Sequence, residues 1–312
     1  MVESRAVAWS PGACGELVQG VIDGRDFLIT CPIARYSRVS VEVVGSTLDV
    51  PEDCSKLREA LQRTLDLLGA PLDLGLRVQV TSDLLRGKGL ASSTADIAAG
   101  VAALGRLLGR EFTPRELASL ALQVEPTDGL MFPGLACFDH RRGTWQESLG
   151  SPPPMELLVF DAGGEVDTLA FNGRDDLTQI NSAKEGIVRA ALALVKQGIQ
   201  EERPDMIARG ATMSALANQR LLPKKDLEEI IGFGVRRLGA LGLCIAHSGT
   251  VFGLLYPPLK QYQVEEAVEA MEREYPQLTF LYHTALVGGG VRWGESLEVN
   301  RNGQEYGAPS WR

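Results

Sequence analysis

The sequence predicts a two-domain protein of mixed strands and helices. Three observations carry this: 312 residues, 45% hydrophobic and 23% charged, suffice for more than one core. Alternating and helical apolar patterns follow one another along both halves. The run Ser151-Pro152-Pro153-Pro154 can continue neither a helix nor a central strand, so the boundary falls there, giving domains 1–150 and 151–312.

Residues 39–44 and 75–82 alternate apolar and polar side chains, with Leu76, Val78 and Val80 on one face of the second, and both read as half-buried strands. Between them Leu57, Ala60, Leu61, Leu65 and Leu68 recur at helical spacing, with Gly69 as a stop. After a loop from Asp83 to Ala91, the proline-free, alanine- and leucine-rich stretch from Ser92 to Leu108 reads as a helix. A further helix starts at Pro114, where Thr113 caps it and Glu116 completes a capping box, and ends at Glu125-Pro126. In the second half 155–162 reads as a strand, then helices near 182–197, 204–217 and 225–240. A strand pair around LCIAHSG and TVFGLLY, a helix near 262–274 and the strand FLYHTALV close the regular structure, and the last dozen residues look poorly anchored.

The formal net charge of −9 repels polyanions, so an anion site must be built locally, and neither nucleic acid nor an anionic membrane is an expected partner. Cys14, Cys31, Cys54, Cys137 and Cys244 are odd in number and widely spaced, which fits reduced thiols better than a disulfide framework or a zinc site. No leader-like or membrane-spanning stretch is seen, so a cytoplasmic protein is expected. The sequence does not speak to oligomeric state.

The loop Arg86-Gly87-Lys88-Gly89-Leu90-Ala91-Ser92-Ser93-Thr94-Ala95 enters a helix. Gly87 and Gly89 allow close backbone approach, the helix start offers unpaired amides, Ser92 and Ser93 offer hydroxyls, and Lys88 is one of only seven lysines. These are the parts of a polyphosphate cradle, although the spacing is neither Walker A nor Rossmann, and glycines in a tight connection with a serine-capped helix would look the same.

Gly89-Leu90-Ala91-Ser92-Ser93-Thr94-Ala95 resembles the second motif of the GHMP kinases, usually P-x-x-x-G-L-x-S-S-[AS]. Leu85 or its neighbours stand where the family usually has proline, and Ala91 replaces a common glycine. Pro11-Gly12-Ala13-Cys14-Gly15-Glu16-Leu17-Val18-Gln19-Gly20 is similar to the first motif in the form carried by L-threonine kinases of cobalamin synthesis, without the lysine many relatives have there; read alone, it is a glycine-rich bend between strands. Ala246-His247-Ser248-Gly249-Thr250-Val251-Phe252-Gly253 resembles the third motif.

The resemblance implies an α+β, two-domain fold, with the nucleotide between an N-terminal domain of mixed strands and helices and a C-terminal domain of sheet plus helices. It implies ATP and Mg²⁺ as cofactors, nucleotide contacts from Gly87 through Thr94, and a cationic role near the transferring phosphate that falls to Lys88 or to no residue at all. Asp128, in Glu125-Pro126-Thr127-Asp128-Gly129, is then the base for the acceptor hydroxyl, or else an Asx-turn aspartate. Mg²⁺ falls to Ser93 or Ser92 with Glu125, which resembles a helix-borne ligand, while Glu116 is a rival. Gly15, Glu16, His247, Ser248 and Gly249 are candidates for the acceptor, His247 fitting a packed structural role as well.

The implied reaction is ATP-dependent phosphorylation of L-threonine to O-phospho-L-threonine for the cobalamin side chain. A zwitterionic acceptor needs a cation and an acid, and Arg35, Arg38, Glu16 and Asp161 are available. Homoserine, an isoprenoid precursor, or a non-catalytic nucleotide-binding regulator are the alternatives.

Overall fold

The computed structural model describes residues 4–71, 74–163, 177–219, 221, 223–246 and 249–297. The architecture is α+β. Its strands are β1 (Arg5–Ile22), β2 (Arg25–Val43), β3 (Leu48–Asp49), β4 (Leu76–Ser82), β5 (Leu135–Phe138), β6 (Gln146–Gly150), β7 (Glu156–Asp161), β8 (Gly242–Ile245), β9 (Val251–Tyr256), β10 (Thr279–Ala285) and β11 (Arg292–Trp293). The helices are α1 (Ser55–Leu68), α2 (Ser92–Leu107), α3 (Pro114–Leu122), α4 (Leu177–Gln200), α5 (Pro204–Ala217), α6 (Leu227–Leu238) and α7 (Gln261–Glu274).

The strands form one sheet in the order β10-β7-β9-β8-β1-β2-β4-β3, with β11 on β1 and the β5-β6 hairpin on β2. Among the described residues only the β3-β4 pair is parallel. The proline run lies between β6 and β7, and the sheet continues through the strands on both sides of it.

Each helix group covers its own part of this sheet. Leu57, Ala60 and Leu61 of α1, Ile97 and Leu104 of α2 and Leu117 of α3 pack on Val39, Val41 and Leu76. Val188 and Val195 of α4 and Ile207 of α5 pack on Leu17 and Ile29, while Ile230 of α6 and Met271 of α7 cover Phe160 and Leu254. Burying side chains of this size contributes about 1.5–3 kcal/mol each. Helix α2 is buried on nearly every side, and its alanines and Gly100 keep it slim enough to sit between the sheet and α1, where a Cβ at position 100 would strike Leu57.

Local signals set the helix ends. Gly69 ends α1 at φ +61 and returns its N–H to Asp66 O and Leu65 O. Thr113 and Glu116 close the capping box of α3 in both directions. Thr113→Ala should cost about 1 kcal/mol in chemical denaturation; an unchanged midpoint would mean that the tertiary contacts of Leu117 and Leu120 alone hold α3.

The first motif is not a bend. Strand β1 runs straight through it, with register shifts against β2 at Pro11/Gly12, Ala13/Glu16 and Glu16/Val18. Burial on both faces and these bulges erase the alternation that marks a strand in sequence. The short pairs β5-β6 and β1-β11 also escape the sequence reading, and β11 extends regular structure past FLYHTALV. The final dozen residues lie outside the described residues. All five cysteines are buried free thiols, and among the described residues no helix is long and apolar enough to cross a membrane.

Candidate active site

The three motifs meet, and backbone hydrogen bonds join them. Ala13 N–H donates to Leu90 O at 3.0 Å and Gly15 N–H to Gly89 O at 3.3 Å, tying β1 to the glycine loop. Thr250 and Val251 N–H both donate to Lys88 O, at 3.0 and 3.2 Å, tying the third motif to the same loop. Glycine is needed where these segments touch. A Cβ on Gly15, at φ +57, would collide with the backbone of Ile245 and Ala246, and one on Gly249 with Lys88 O and Gly89.

Side chains brace the loop from both ends. Arg86 Nη1 lies 3.0 Å from Asp96 Oδ2, while Ser37 Oγ donates to Asp96 Oδ1 at 2.5 Å. Burial pushes the Asp96 carboxyl up, and Ser37 and Arg86 oppose that push. Lys88 Nζ reaches Asp161 Oδ2 at 2.8 Å. Against the upward push of burial, hydrogen bonds from Lys88, Thr250 and Gly163 hold Asp161 below its ordinary value.

The loop and the start of α2 fit a polyphosphate. Gly87 and Gly89 lie at φ +73 and +88, and Ala91 at φ +54 holds the left-handed turn that suits a glycine. An alanine at the N-cap means that no side chain caps the first-turn amides, so those donors and the helix dipole are left for an anion. Leu90 contributes only backbone, its side chain being buried in the core.

Thr94, by contrast, faces inward. Its hydroxyl lies 3.4 Å from both the Asp128 amide and Asp128 Oδ2 and accepts from Thr127 Oγ1 at 3.2 Å. Thr30, which has no motif to announce it, accepts the Gly129 N–H at 3.1 Å. Asp128 is thus fixed from α2 and from β2. Burial, followed by the charges of Glu16 and Glu125, pushes its carboxyl up to about 7, against the Thr94 and Thr30 hydroxyls. Glu16 is buried on β1, paired in register with Thr30 and Ile245.

Glu125 stands just past α3, its N–H donating to Ala121 O at 3.0 Å, rather than on the helix. Its carboxylate accepts from Ser93 Oγ at 2.5 Å and pairs with Lys56. This all-oxygen pair suits Mg²⁺, and Lys56 already sets a cation against it. Glu116 is occupied elsewhere, by Thr113 N and Oγ1 at 2.8 and 2.9 Å and by Arg110 at 2.7 Å. Among the described residues no group of three or more His, Cys, Asp or Glu could hold a metal, so an ion here needs phosphate and water oxygens to complete its shell.

Of the groups available for a zwitterion, Glu16 is in this cluster. Asp161 is taken by Lys88, Arg38 pairs with Glu295 at 2.6 Å, and Arg35 donates to His283 O at 3.4 Å while lying over the Tyr282 ring. His247 and Ser248 lie outside the described residues. Lys224, which no motif marks, reaches the site from between α5 and α6, its Nζ donating to Gly249 O. A separate groove of about 440 Å³, lined by Asp23, Arg25, Trp145, Arg189 and Lys196 among others, shares no residue with the motifs. Its Arg189 and Lys196 are already paired, with Asp23 and Glu147.

Residues 55–132 match the GHMP kinases N terminal domain. The chain is 33% identical over 293 residues to the L-threonine kinase of Salmonella typhimurium, covering 92% of this chain and 95% of the relative. It is 34% identical over 252 residues to the L-threonine kinase of Citrobacter freundii, covering 80% and 86%. Among solved structures, the homoserine kinase from Cytophaga hutchinsonii superposes with a TM-score of 0.67 at 17% identity, covering 94% of this chain and 98% of that one. With relatives aligned along nearly its whole length and the three motifs joined around one anion-ready loop, the chain belongs to the GHMP kinases and is an ATP-dependent small-molecule kinase.

Proposed function

We propose that this kinase phosphorylates the side-chain hydroxyl of L-threonine with Mg-ATP, giving O-phospho-L-threonine for the cobalamin side chain. The observation that carries the choice of acceptor is the similarity, over 92% of the chain, to an L-threonine kinase. The position of Asp128 supports the chemistry: a carboxylate held by Thr94 and Thr30 beside the glycine loop, with a proton affinity near neutrality.

Asp128 accepts the proton of the acceptor hydroxyl as that oxygen bonds to the γ-phosphorus and the bond from phosphorus to the bridging oxygen of ADP breaks. A base with a pKa close to working pH is both ionised and willing to take a proton. The loop amides of residues 87–94 hold the phosphates in place, which is most of what such a transfer requires. Ser93 and Glu125 would hold Mg²⁺, which when bound neutralises phosphate charge. Glu16, buried beside Asp128, is the acid for the substrate ammonium.

ATP turnover with Mg²⁺ across L-threonine, L-serine, L-homoserine, mevalonate and galactose, with phosphorus NMR of the product, tests the reading. Selective O-phospho-L-threonine is expected; preferential phosphorylation of homoserine or mevalonate would reassign the acceptor. Ser93→Ala should raise the Mg²⁺ concentration for half-maximal rate about tenfold, by loss of one ligand from a site with few protein donors. An unchanged Mg²⁺ titration would remove Ser93 from the metal site.

A further inference from the structure

We propose that Lys224 is the cation that meets the transferring phosphoryl group. The charges around the glycine loop favour such a residue. Glu16, Glu125, Asp128 and Asp161 bring four carboxyl groups to the site, and a nucleotide adds further negative charge. Lys88, the lysine within the loop, is 2.8 Å from Asp161, whose carboxylate also accepts the Gly163 N–H at 3.0 Å. That pair is close to neutral and serves to brace the loop. Lys56 is committed to Glu125 and is half exposed.

Lys224 differs from both. Its side chain is partly buried and its hydrogen-bond acceptor is a carbonyl, Gly249 O, so no carboxylate neutralises it by direct contact among the described residues. Gly249 in turn lies against the loop so closely that a Cβ there would collide with Gly89. The ammonium, which has three N–H donors, is therefore delivered to the side of the loop where phosphate is cradled. Its backbone is pinned as well, Lys224 N–H donating to Gln219 Oε1 at 2.7 Å, so the lysine arrives preorganised. Burial lowers the proton affinity of this ammonium, while Glu16 and Asp161 pull it back up, which sets Lys224 in the field of the acid beside Asp128 and of the acid that holds Lys88.

As the bond from the γ-phosphorus to the bridging oxygen of ADP breaks and the bond to the acceptor oxygen forms, with the acceptor proton passing to Asp128, charge is redistributed over the phosphoryl and leaving oxygens. A fixed ammonium there stabilises the transition state more than bound ATP, so its loss should fall on kcat.

The test is steady-state kinetics of Lys224→Gln and Lys224→Arg with L-threonine, with L-threonine amide, and with no acceptor, where ATP hydrolysis is read. Lys224→Gln should lower kcat about 10²-fold or more, with KM for L-threonine changed less than about threefold, and Lys224→Arg should recover at least tenfold of the loss. Hydrolysis without acceptor should fall in parallel, an arm that stands whether or not threonine is the substrate. Two results overturn the proposal. One is kcat within about threefold of the parent in Lys224→Gln. The other is a rise in KM for L-threonine at constant kcat that is absent with the amide, which would make Lys224 a carboxylate-binding residue instead. Thermal melts of both variants report folding; should Lys224→Gln fail to fold, Lys224→Arg decides, since a charge retained without recovered turnover also refutes the role.

Discussion

Replacing Asp128 with asparagine is expected to lower kcat about 10²–10⁴-fold, the range in which general bases contribute, while Mg-ATP binding measured by nucleotide titration stays nearly intact. Asparagine keeps the side-chain oxygen that faces Thr94 but cannot take the acceptor proton. In the parent, kcat/KM for the acceptor should rise with pH toward the value near 7 to which burial, Glu16 and Glu125 push this carboxyl, and this acidic limb should vanish in the variant.

The same substitution has an opposite effect on stability. The folded-state pKa of Asp128 lies above its ordinary value of 3.8, so the folded state binds the proton more tightly than the unfolded chain. Its stabilising contribution is complete below about pH 4 and is lost as pH rises through about 7. Asp128→Asn escapes that loss. Its melting temperature should match the parent near pH 4 and exceed it at pH 8 by about 2–6 °C. A variant with normal turnover would remove Asp128 from the mechanism, and one that loses nucleotide binding along with turnover would show that Asp128 shapes the loop rather than moving a proton.

What the sequence made legible follows from where each signal is stored. Elements buried on one face, such as β4 with Leu76 and Val78 inward or α1 with Leu57, Ala60 and Leu61 inward, write their period into the chain. The ends of α1 and α3 were legible because Gly69, Thr113 and Glu116 act on their own neighbours. Strand β1 was hidden because both its faces are buried and bulges break its register, and Gly15 and Glu16 owe their positions to those bulges.

The motifs could be read one by one, but their meeting could not, since it rests on contacts such as Gly15 to Gly89 and Thr250 to Lys88 between distant segments. Spacing left Glu116 and Glu125 as rivals; partners separate them, one closing a capping box and the other facing Ser93. Ala91 stands in place of a common glycine, and the structure keeps the left-handed turn there at φ +54. Thr30 and Lys224 carry no local pattern at all, because a lone threonine on a strand or a lysine beyond a helix is ordinary until the fold sets it beside Gly129 or Gly249.

That difference between local and long-range information gives a matched pair of expected outcomes. Gly87 and Gly89 look alike in sequence and both have positive φ, yet a Cβ on Gly87 would meet nothing within 4 Å. On Gly89 it would strike the Cβ of Ala246 and come to 3.0 Å from Gly249 Cα. Gly87→Ala should therefore cost only the left-handed strain of about 1–2 kcal/mol and leave ATP turnover within about tenfold. Gly89→Ala must also push the third motif off the loop, adding about 1–3 kcal/mol of overpacking. Because that displacement shifts the amides that position phosphate, turnover should fall about 10²-fold or more, as misplacement by an ångström does. Ala246→Gly removes the atom that the new Cβ strikes, so the double variant should regain part of what Gly89→Ala loses, a coupling that a strain effect confined to the loop cannot produce. Equal losses in the two single variants, or no recovery in the double, would mean that the loop works without the third motif closed upon it.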